Sequence, residues 1–275
     1  MKTFYEENPA LAAKEAELAQ KIAEPAKLVI ALSGGVDSSL LATIAAKYRK
    51  AGTTCAITCS SCLVSEKEVA EAKAICERLG IPHIVLQTAP LAIEEVKNND
   101  PARCYYCKKA LFRAMLAEAK ALGAVVLAEA SHADDMGLYR PGLQALKELK
   151  IWQPLWECGF TKKDIRALAE KEGLSNAHKP AKPCYATRFP YHTELTEAKI
   201  AMVKKGEEFL EELGFSPCRL RFQHEIARIE LEACQYGHAL EMRAEIIIKL
   251  KELGFRYICL DLEGFRSGSM DKNIS

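Results

Sequence analysis

The fold is decided by the stretch from Leu28 to Ser39, which reads LVIALSGGVDSS. Its first residues, Leu28 to Leu32, are apolar and partly β-branched, as in a buried strand, and residues Ser39 to Arg49 continue with the spacing of a helix. Two adjacent glycines, Gly34 and Gly35, stand between them. Glycine lets the backbone turn tightly and approach an anion, and the free N–H groups at a helix start point at phosphate oxygens. The stretch therefore predicts a phosphate-binding loop.

Short β-branched runs and helical stretches continue to alternate after this loop. The predicted strands are Cys55–Cys59, His83–Thr88 and Ala124–Ala128, and the predicted helices are Glu66–Leu79 and Lys108–Leu122. This alternation is typical of a parallel sheet covered by helices, so we predict an α/β fold with a doubly wound parallel sheet. Thr161 and Asp164 have the spacing of a capping box and predict a further helix that ends at Gly173.

The alternation stops between residues 174 and 194, where three prolines and no periodicity predict a loop or a linker. The predicted elements beyond it are a helix over Thr196–Leu213, a β-like stretch over Arg219–Leu231, a helix over Ala239–Leu253 and a strand over Tyr257–Leu262. We therefore predict a phosphate-loop domain of residues 1–180 and a smaller C-terminal α+β domain of residues 181–275.

The charge and hydropathy of the chain narrow the range of its partners. Of the 275 residues 49% are hydrophobic, enough for an ordinary core, and 38 basic residues nearly cancel 37 acidic ones. No overall field attracts nucleic acid or an anionic membrane, so nucleic acid is disfavoured as a partner. No apolar run approaches the roughly 20 residues of a membrane span, and no apolar segment marks the first residues. We expect a cytoplasmic protein with no membrane partner.

The phosphate loop lacks two well-known nucleotide patterns. It has neither the lysine of G-x-x-x-x-G-K-[ST], so we do not expect γ-phosphoryl transfer, nor the G-x-G-x-x-G of dinucleotide sites. It resembles the S-G-G-x-D-S loop of the N-type ATP pyrophosphatases, the PP-loop superfamily, which adenylylate a carbonyl or carboxyl oxygen and release pyrophosphate. The resemblance implies that Asp37 holds Mg²⁺ on the leaving pyrophosphate. It also implies that ATP is bound by Ser33, Gly34, Gly35, Val36, Asp37, Ser38 and Ser39.

Adenylylation must be followed by a nucleophile, and the candidate is Cys184 in the stretch KPAKPCYATR of residues 179–188. The cations Lys179, Lys182 and Arg188 would favour the thiolate, and a proline-rich loop keeps the sulfur out of a core. The alternative is a packing cysteine in a surface loop. These residues alone do not decide between the two interpretations.

Several stretches, in order over nearly the whole chain, resemble the LarE family of ATP-dependent sulfur transferases. They are residues Ser33–Ser39, Arg103–Lys109, Ala133–Asp135, Tyr139–Gly142, Cys184–Tyr191, Ala227–Glu230, Gly254–Tyr257 and Asp261–Ser269. This family serves synthesis of the nickel-pincer nucleotide of lactate racemase. The resemblance implies that ATP adenylylates a carboxylate of pyridinium-3,5-biscarboxylic acid mononucleotide, that Cys184 displaces AMP to form a thioester, and that cleavage of the cysteine's carbon–sulfur bond leaves a thiocarboxylate and dehydroalanine.

The same resemblance assigns further residues and an assembly. It places Asp134, Thr187 and Arg188 at the ATP site. It implies that Arg219, Arg221 and Arg266 hold the phosphate of the substrate, and that the chain forms a homo-oligomer through its second domain. The chain departs from the family at Pro183, where alanine is usual, at residues 129–132, which read EASH where Gly-Thr-Asn is common, and at residues 219–224, which replace a stretch containing His-His-Gly.

The 11 cysteines are odd in number and spread along the chain, so we expect thiols and not a disulfide framework. Cys55, Cys76 and Cys259 lie in apolar surroundings and are predicted to be buried as small hydrophobic residues. Two Cys-x-x-Cys pairs, Cys59/Cys62 and Cys104/Cys107, are separated by 41 residues, which disfavours a zinc ribbon.

An alternative mechanism uses an iron–sulfur cluster, because thiolates suit iron–sulfur clusters as well as zinc. Some sulfur transferases with this loop bind a [4Fe–4S] cluster through a Cys-x-x-Cys pair and a distant cysteine, and Cys104, Cys107 and Cys184 match that order. Cys218 and Cys234 offer another triplet with Cys184. In this mechanism Cys184 is a cluster ligand, and the sulfur comes from outside the chain.

Three other functions remain open from the sequence. An amidating synthetase would use the same loop and leave Cys184 idle, and a tRNA thiolase would use the same ATP chemistry. The near-neutral charge argues against RNA. A nucleotide-binding sensor would bind ATP without releasing pyrophosphate.

Overall fold

Strand β1, Leu28–Ala31, lies inside a parallel sheet in the computed structural model, which describes residues 4–124, 126–135, 141–180 and 182–266. The other strands of this sheet are β2, Thr54–Ser60, β3, His83–Gln87, and β4, Val126–Ala128. The order across the sheet is β3-β2-β1-β4, and Ile30 is in register with Ala56 on one side and with Ala128 on the other. The carboxyl ends of all four strands therefore meet at one edge, where the phosphate loop begins.

The longer helices are α1, Pro9–Ala23; α2, Val36–Tyr48; α3, Glu66–Leu79; α4, Arg103–Ala121; α5, Pro141–Glu148; α6, Lys162–Lys171; α7, Glu197–Glu212; α8, Tyr236–Glu241; and α9, Arg243–Glu252. Single turns lie at Phe4–Glu7, Pro90–Ala92, Glu94–Lys97, Ala133–Asp135, Pro154–Glu157, Tyr185–Arg188 and Ala233–Gln235. Within the described ranges, no helix is long and apolar enough to cross a membrane.

Helices cover both faces of the parallel sheet, because successive side chains of a strand point to opposite faces. Leu28 and Ile30 pack in a core with α1, α2, α3 and α6, whereas Val29 packs in a second core with α4 and α5. This arrangement confirms the predicted doubly wound α/β fold.

The chain divides by its internal contacts into two units. The first consists of Met1–Thr88 and Cys104–Lys182, and the second of Ala89–Arg103 and Pro183–Ser275. The last segment of the first unit ends at Lys182, two residues after the predicted domain boundary at residue 180. Residues 89–103 lie within the predicted first domain but belong to the second unit.

A mixed sheet forms the centre of the second unit. Strand β5, Cys218–Gln223, is antiparallel to β6, Ile226–Leu231, and β6 is parallel to β7, Tyr257–Leu260. The predicted β-like stretch is thus a hairpin, which turns at His224 with φ of 59°. Helix α7 packs against β5. A separate, smaller sheet at the carboxyl-terminal side agrees with the predicted α+β architecture.

Several predicted boundaries were wrong. Helix α2 begins at Val36 instead of Ser39, so Ser38 and Ser39 lie in its first turn, and α4 begins at Arg103 instead of Lys108. The helix predicted over Ala239–Leu253 is two helices, because the backbone of Met242 leaves the helical region at φ −83° and ψ 5°.

The predicted burial of cysteines was correct at two positions and wrong at one. Cys55 and Cys76 are buried, but Cys259 is exposed. Cys259 lies on β7, which pairs with β6 on one side only, and Tyr257 on the same strand is 58% exposed. The apolar run around Cys259 therefore did not imply that its side chain is buried, because the run lies on a strand at the edge of the sheet.

Candidate active site

The phosphate loop follows β1 and turns at Gly34, whose φ is 80°. A Cβ atom at this position would lie 2.5 Å from the backbone oxygen of Glu68 on α3. Both the left-handed backbone and the close approach of α3 exclude a side chain, so glycine is required here. The turn brings the backbone of Gly35 to the N-cap of α2.

The serines of the loop fix its shape from inside. The Ser33 backbone N–H donates to Ser38 Oγ at 3.1 Å, and Ser38 Oγ and Ser39 Oγ donate to the Gly35 carbonyl oxygen at 3.1 and 2.8 Å. Ser38 and Ser39 are buried. These hydroxyls hold the start of α2, where helix N–H groups and the helix dipole favour an anion.

Asp37 lies in the first turn of α2 and is held by a lysine that the sequence analysis missed. Lys162 Nζ donates to Asp37 Oδ1 and Oδ2 at 2.6 and 2.7 Å. Lys162 is the first residue of α6, directly after the N-cap Thr161 of the predicted capping box, which is present. Its backbone N–H donates to Asp134 Oδ2 at 2.7 Å. The start of α6 thus joins Asp37 and Asp134, two residues that the sequence predicted for the ATP site.

Asn176 is a second residue that the sequence analysis missed. It is buried, and its Nδ2 donates at 3.0 Å both to the Gly34 carbonyl oxygen and to Ser39 Oγ. Asn176 therefore contacts both ends of the glycine turn. No local pattern in the sequence marks Asn176, because only the fold brings residues 34 and 176 together.

A cavity of about 210 Å³ opens beside the loop. It is lined by Ser33, Gly34, Gly35, Val36, Asp37, Glu68, Lys162, Lys179, Pro180 and Lys182. Burial raises the pKa of Glu68, against the backbone hydrogen bond at Ser65 and the charges of Lys179 and Lys182. Lys179 itself forms an ion pair with Glu71 on α3. The cavity thus combines amide groups, carboxylates and ammonium groups, the donor and acceptor types that a polyphosphate with a hard cation requires.

Cys184 lies in the second unit, where it is exposed and is the N-cap of the short turn Tyr185–Arg188. The hydroxyl of Thr187 donates to the Cys184 carbonyl oxygen at 2.8 Å, and the Thr187 backbone N–H donates to the same oxygen at 3.1 Å. The backbone beneath the thiol is therefore fixed while the sulfur remains accessible.

Arg188 anchors this turn through a buried ion pair. Its Nε and Nη2 donate to the two carboxylate oxygens of Glu207 on α7 at 2.7 and 3.0 Å, and its Nη1 donates to the Pro183 carbonyl oxygen at 2.9 Å. Burial acts to lower the pKa of Arg188, but the Glu207 carboxylate outweighs it and raises the pKa. Glu207 also accepts from the Leu220 backbone N–H at 2.9 Å. Arg188, which the sequence predicted for the ATP site, is thus bonded to Glu207 and Pro183 within the second unit.

The three arginines predicted for the substrate phosphate lie in the second unit with different partners. Arg221 makes a two-pronged ion pair with the buried Glu230 at 2.9 and 3.0 Å. Arg219 Nη1 donates to the Arg266 carbonyl oxygen at 2.9 Å, and the Arg219 guanidinium lies 4.5 Å from the centre of the Phe265 ring. Burial and the neighbouring arginines lower the pKa of Arg219. Arg219 and Arg266 are therefore brought together.

The cysteines proposed as cluster ligands are divided between the units. Cys104 and Cys107 lie in the first turns of α4, not before a helix as predicted, and Cys184 belongs to the second unit. Among the described residues, no group of three or more His, Cys, Asp or Glu side chains is arranged around a common metal position. Of the stretches that resemble LarE, Tyr139 and Arg140 and residues 267–269 lie outside the described residues.

The comparisons with known proteins agree with the geometry of the phosphate loop. The protein-family model described as asparagine synthase matches residues 18–117. The tRNA-specific 2-thiouridylase MnmA of Acidithiobacillus ferrooxidans is 32% identical over 216 residues, which are 66% of this chain and 60% of that protein.

Two relatives match over nearly their whole length. An uncharacterized protein of Synechocystis sp. is 36% identical over 268 residues, 96% of this chain and 99% of that protein. The pyridinium-3,5-bisthiocarboxylic acid mononucleotide synthase of Lactiplantibacillus plantarum is 36% identical over 265 residues, 96% of each chain. With this coverage and with a phosphate loop between β1 and α2, the chain belongs to the LarE family of ATP-dependent sulfur transferases, enzymes of the PP-loop ATP pyrophosphatase superfamily.

Proposed function

We propose that the chain adenylylates a carboxylate of pyridinium-3,5-biscarboxylic acid mononucleotide with ATP and converts it to a thiocarboxylate, using the sulfur of Cys184, for the nickel-pincer nucleotide. The observation that carries the proposal is the exposed Cys184 on a turn fixed by the Arg188–Glu207 ion pair, in a chain whose relative is named for the bisthiocarboxylic acid product. An accessible thiol on a rigid backbone is what a nucleophile requires.

The phosphate loop supplies the ATP site in this proposal. The amide groups at the start of α2 and the hydroxyl of Ser33 are suited to bind the phosphates, Ser38 and Ser39 hold the turn through the Gly35 carbonyl oxygen, and Lys162 supplies a cation. Asp134, bonded to the backbone of Lys162, would position the start of α6. Thr187 and Arg188 would hold the turn that carries Cys184, through the Thr187 hydrogen bond to the Cys184 carbonyl oxygen and the Arg188–Glu207 ion pair, and their assignment to the ATP site stays a prediction.

Asp37 is suited to hold Mg²⁺. It is a carboxylate beside the glycine turn, and hard oxygen ligands are those that Mg²⁺ prefers. Both Asp37 oxygens accept from Lys162 Nζ, a cationic group whose place Mg²⁺ would take. When bound, Mg²⁺ would neutralise charge on the pyrophosphate leaving group.

The sulfur transfer balances without an oxidant or a reductant. A substrate carboxylate oxygen attacks the α-phosphorus of ATP, and pyrophosphate leaves. The Cys184 thiolate attacks the resulting acyl adenylate, so that a carbon–sulfur bond forms and AMP leaves. A base then removes the α-proton of Cys184, the bond between its Cβ and Sγ breaks, and the electron pair stays on the sulfur of the thiocarboxylate. The chain retains dehydroalanine in place of Cys184.

The arginines of the second unit are suited to the phosphate of the substrate. Arg219 and Arg266 are joined by a hydrogen bond, and Arg266 is 30% exposed at its side chain. Arg221, the third arginine predicted for the phosphate, is bonded to the buried Glu230. A guanidinium group can bind two phosphate oxygens at once, which fixes the orientation of the phosphate as well as neutralising its charge.

The experiment compares the intact mass of anaerobically purified protein before and after incubation with ATP, Mg²⁺ and the dicarboxylate mononucleotide. A loss of about 34 Da at Cys184, with one thiocarboxylate formed per chain, is the expected result. The matched pair is Cys184→Ser, which should form no product, and Cys234→Ser, an exposed cysteine of the same unit, which should behave as the wild type.

Two other results would contradict the proposal. An unchanged mass with iron bound and repeated turnover would favour the [4Fe–4S] mechanism, in which Cys104, Cys107 and Cys184 are cluster ligands. Product formation by Cys184→Ser with added ammonia would instead indicate an amidating synthetase.

A further inference from the structure

The segment after α6 contacts the phosphate loop at more than one point. The helix pattern ends at Gly173, and three residues later Asn176 donates hydrogen bonds to Gly34 and Ser39. The following residues Lys179, Pro180 and Lys182 line the cavity beside the loop. We call residues 176–180 and 182 the strap.

Asn176 holds the strap on the loop. The side-chain amide of Asn176 contacts the glycine turn at Gly34. Helix α3 approaches the same turn, because a Cβ atom at Gly34 would lie 2.5 Å from the Glu68 backbone oxygen. The backbone of α3 thus packs closely against the glycine turn, and a side chain of the strap donates a hydrogen bond to it. A buried amide that donates twice to one loop costs free energy to leave unpaired, so the contact fixes the relative position of both segments.

The charges of the cavity favour a polyanion. Three lysines, Lys162, Lys179 and Lys182, and two carboxylates, Asp37 and Glu68, line it. Lys162 is bonded to Asp37, and Lys179 to Glu71 outside the lining. A divalent cation on Asp37 would release Lys162, and the lining would then carry an excess of positive charge that matches a bound pyrophosphate.

We propose that the strap is a pyrophosphate-binding element in which Lys182 and Lys179 contact the β- and γ-phosphates of ATP and retain the pyrophosphate that adenylylation releases. The inference rests on the proposed function and adds to it the residues that recognise the leaving group. Asn176 is a positioning residue in this arrangement, since it contacts the loop and not the phosphates.

The test is calorimetric titration of the full chain with pyrophosphate in the presence of Mg²⁺, and separately with AMP. Lys182→Gln and Lys179→Gln should each weaken pyrophosphate binding about tenfold or more, the loss expected for one charge-assisted hydrogen bond, and leave AMP affinity unchanged. The control is Lys163→Gln, which removes the same charge from an exposed position beside Lys162 and should change neither affinity.

A second variant keeps the test clear of folding effects. Glu71→Gln removes the partner of Lys179 and should tighten pyrophosphate binding, because the ammonium group is no longer shared. Wild-type pyrophosphate affinity in Lys182→Gln and Lys179→Gln would overturn the pyrophosphate-binding role of the strap but would not contradict the proposed adenylylation. A wild-type chain that neither binds pyrophosphate nor releases it from ATP would overturn the proposed function together with the strap.

Discussion

Gly34 is the residue on which the phosphate loop depends most directly. Gly34→Ala should both destabilise the chain and abolish ATP binding, because the new methyl group meets the Glu68 carbonyl oxygen at 2.5 Å. The matched control is Gly52→Ala, which has almost the same backbone, φ of 79°, with nothing within 4 Å of the new Cβ. The control should cost about 1–2 kcal/mol for the left-handed backbone alone and leave ATP binding unchanged.

The measurement is the free energy of unfolding in urea together with ATP affinity. Equal costs at the two positions, with ATP affinity retained in Gly34→Ala, would show that the approach of α3 does not constrain the loop.

Arg188 and Glu207 form a buried ion pair, so removal of one partner should leave an uncompensated charge. Arg188→Met should lower the free energy of unfolding by about 3–5 kcal/mol. The control is Arg256→Met, whose exposed pair with Glu225 has a longer contact of 3.3 Å and should cost less than about 1 kcal/mol.

Urea unfolding of both variants checks this prediction. The double variant Arg188→Met/Glu207→Leu should recover part of the loss, because no charge is then left unpaired. A double variant as unstable as Arg188→Met alone would contradict the interpretation.

At the scale of the element, α6 is stabilised at its start by a carboxylate. Burial acts to raise the pKa of Asp164, but hydrogen bonds from Lys14 and Thr161 outweigh it and lower the pKa. A lowered pKa contributes stability that is fully present above the unfolded value of 3.8 and is lost as the pH falls below it. Asp164→Asn should therefore destabilise the chain at neutral pH and differ progressively less from the wild type as the pH falls towards 3.

Unfolding free energies at pH 7, 5 and 3 test this pH dependence. Lys14→Met removes the cation 2.7 Å from Asp164. In this background the effect of Asp164→Asn on the free energy of unfolding should depend less on pH. A difference between wild type and Asp164→Asn that stays constant with pH would contradict the assignment.

Elements with a local signal could be predicted from the sequence. Helix α3 was correct from Glu66 to Leu79, because the apolar spacing and Gly80 both mark it, and the capping box marked the start of α6. The start of α4 was predicted five residues late, since Cys104 and Cys107 carry no helical signal of their own.

The phosphate loop was predictable because its glycines and serines are adjacent in the chain. Lys162 and Asn176 were not, because each reaches the loop from more than a hundred residues away and only the packing of α6 on α2 brings them there. The polar partners of Arg188 and Arg221 were likewise invisible, since Glu207 and Glu230 look like ordinary surface carboxylates in the sequence.

At the scale of the whole molecule, the cysteines differ in environment, so their reactivity should differ. Burial raises the pKa of Cys59, Cys76 and Cys158 to about 11, whereas Cys104, Cys184 and Cys234 are exposed. Iodoacetamide at pH 8 should modify Cys104, Cys184 and Cys234 first, because the thiolate is the reactive form. Cys259 is also exposed, but burial raises the pKa of its thiol and should slow its reaction.

Peptide mass mapping over time checks this order, and the same reaction in denaturant, where all sites should react alike, is the control. The thiols of Cys59, Cys76 and Cys158 should react only as the pH approaches 11. Their ionisation in the unfolded chain above the ordinary value of 9.0 should also reduce stability progressively at alkaline pH. Early modification of Cys158 in the folded protein would contradict the prediction.

Residues 89–103 belong to the same unit as residues 183–275, although residues 104–182 of the first unit separate them in the chain. Asn99, which is fully buried, donates hydrogen bonds to the carbonyl oxygens of Phe189 and Pro190 at 3.0 and 2.8 Å, and the Lys97 carbonyl oxygen accepts from the Leu195 backbone N–H at 2.7 Å. The second unit is therefore assembled from two segments that are not contiguous in the chain. A gene truncated to codons 183–275 would encode an incomplete domain, whereas a cut through the 180–183 connection would leave the nicked pieces held together by the contacts of that inserted segment.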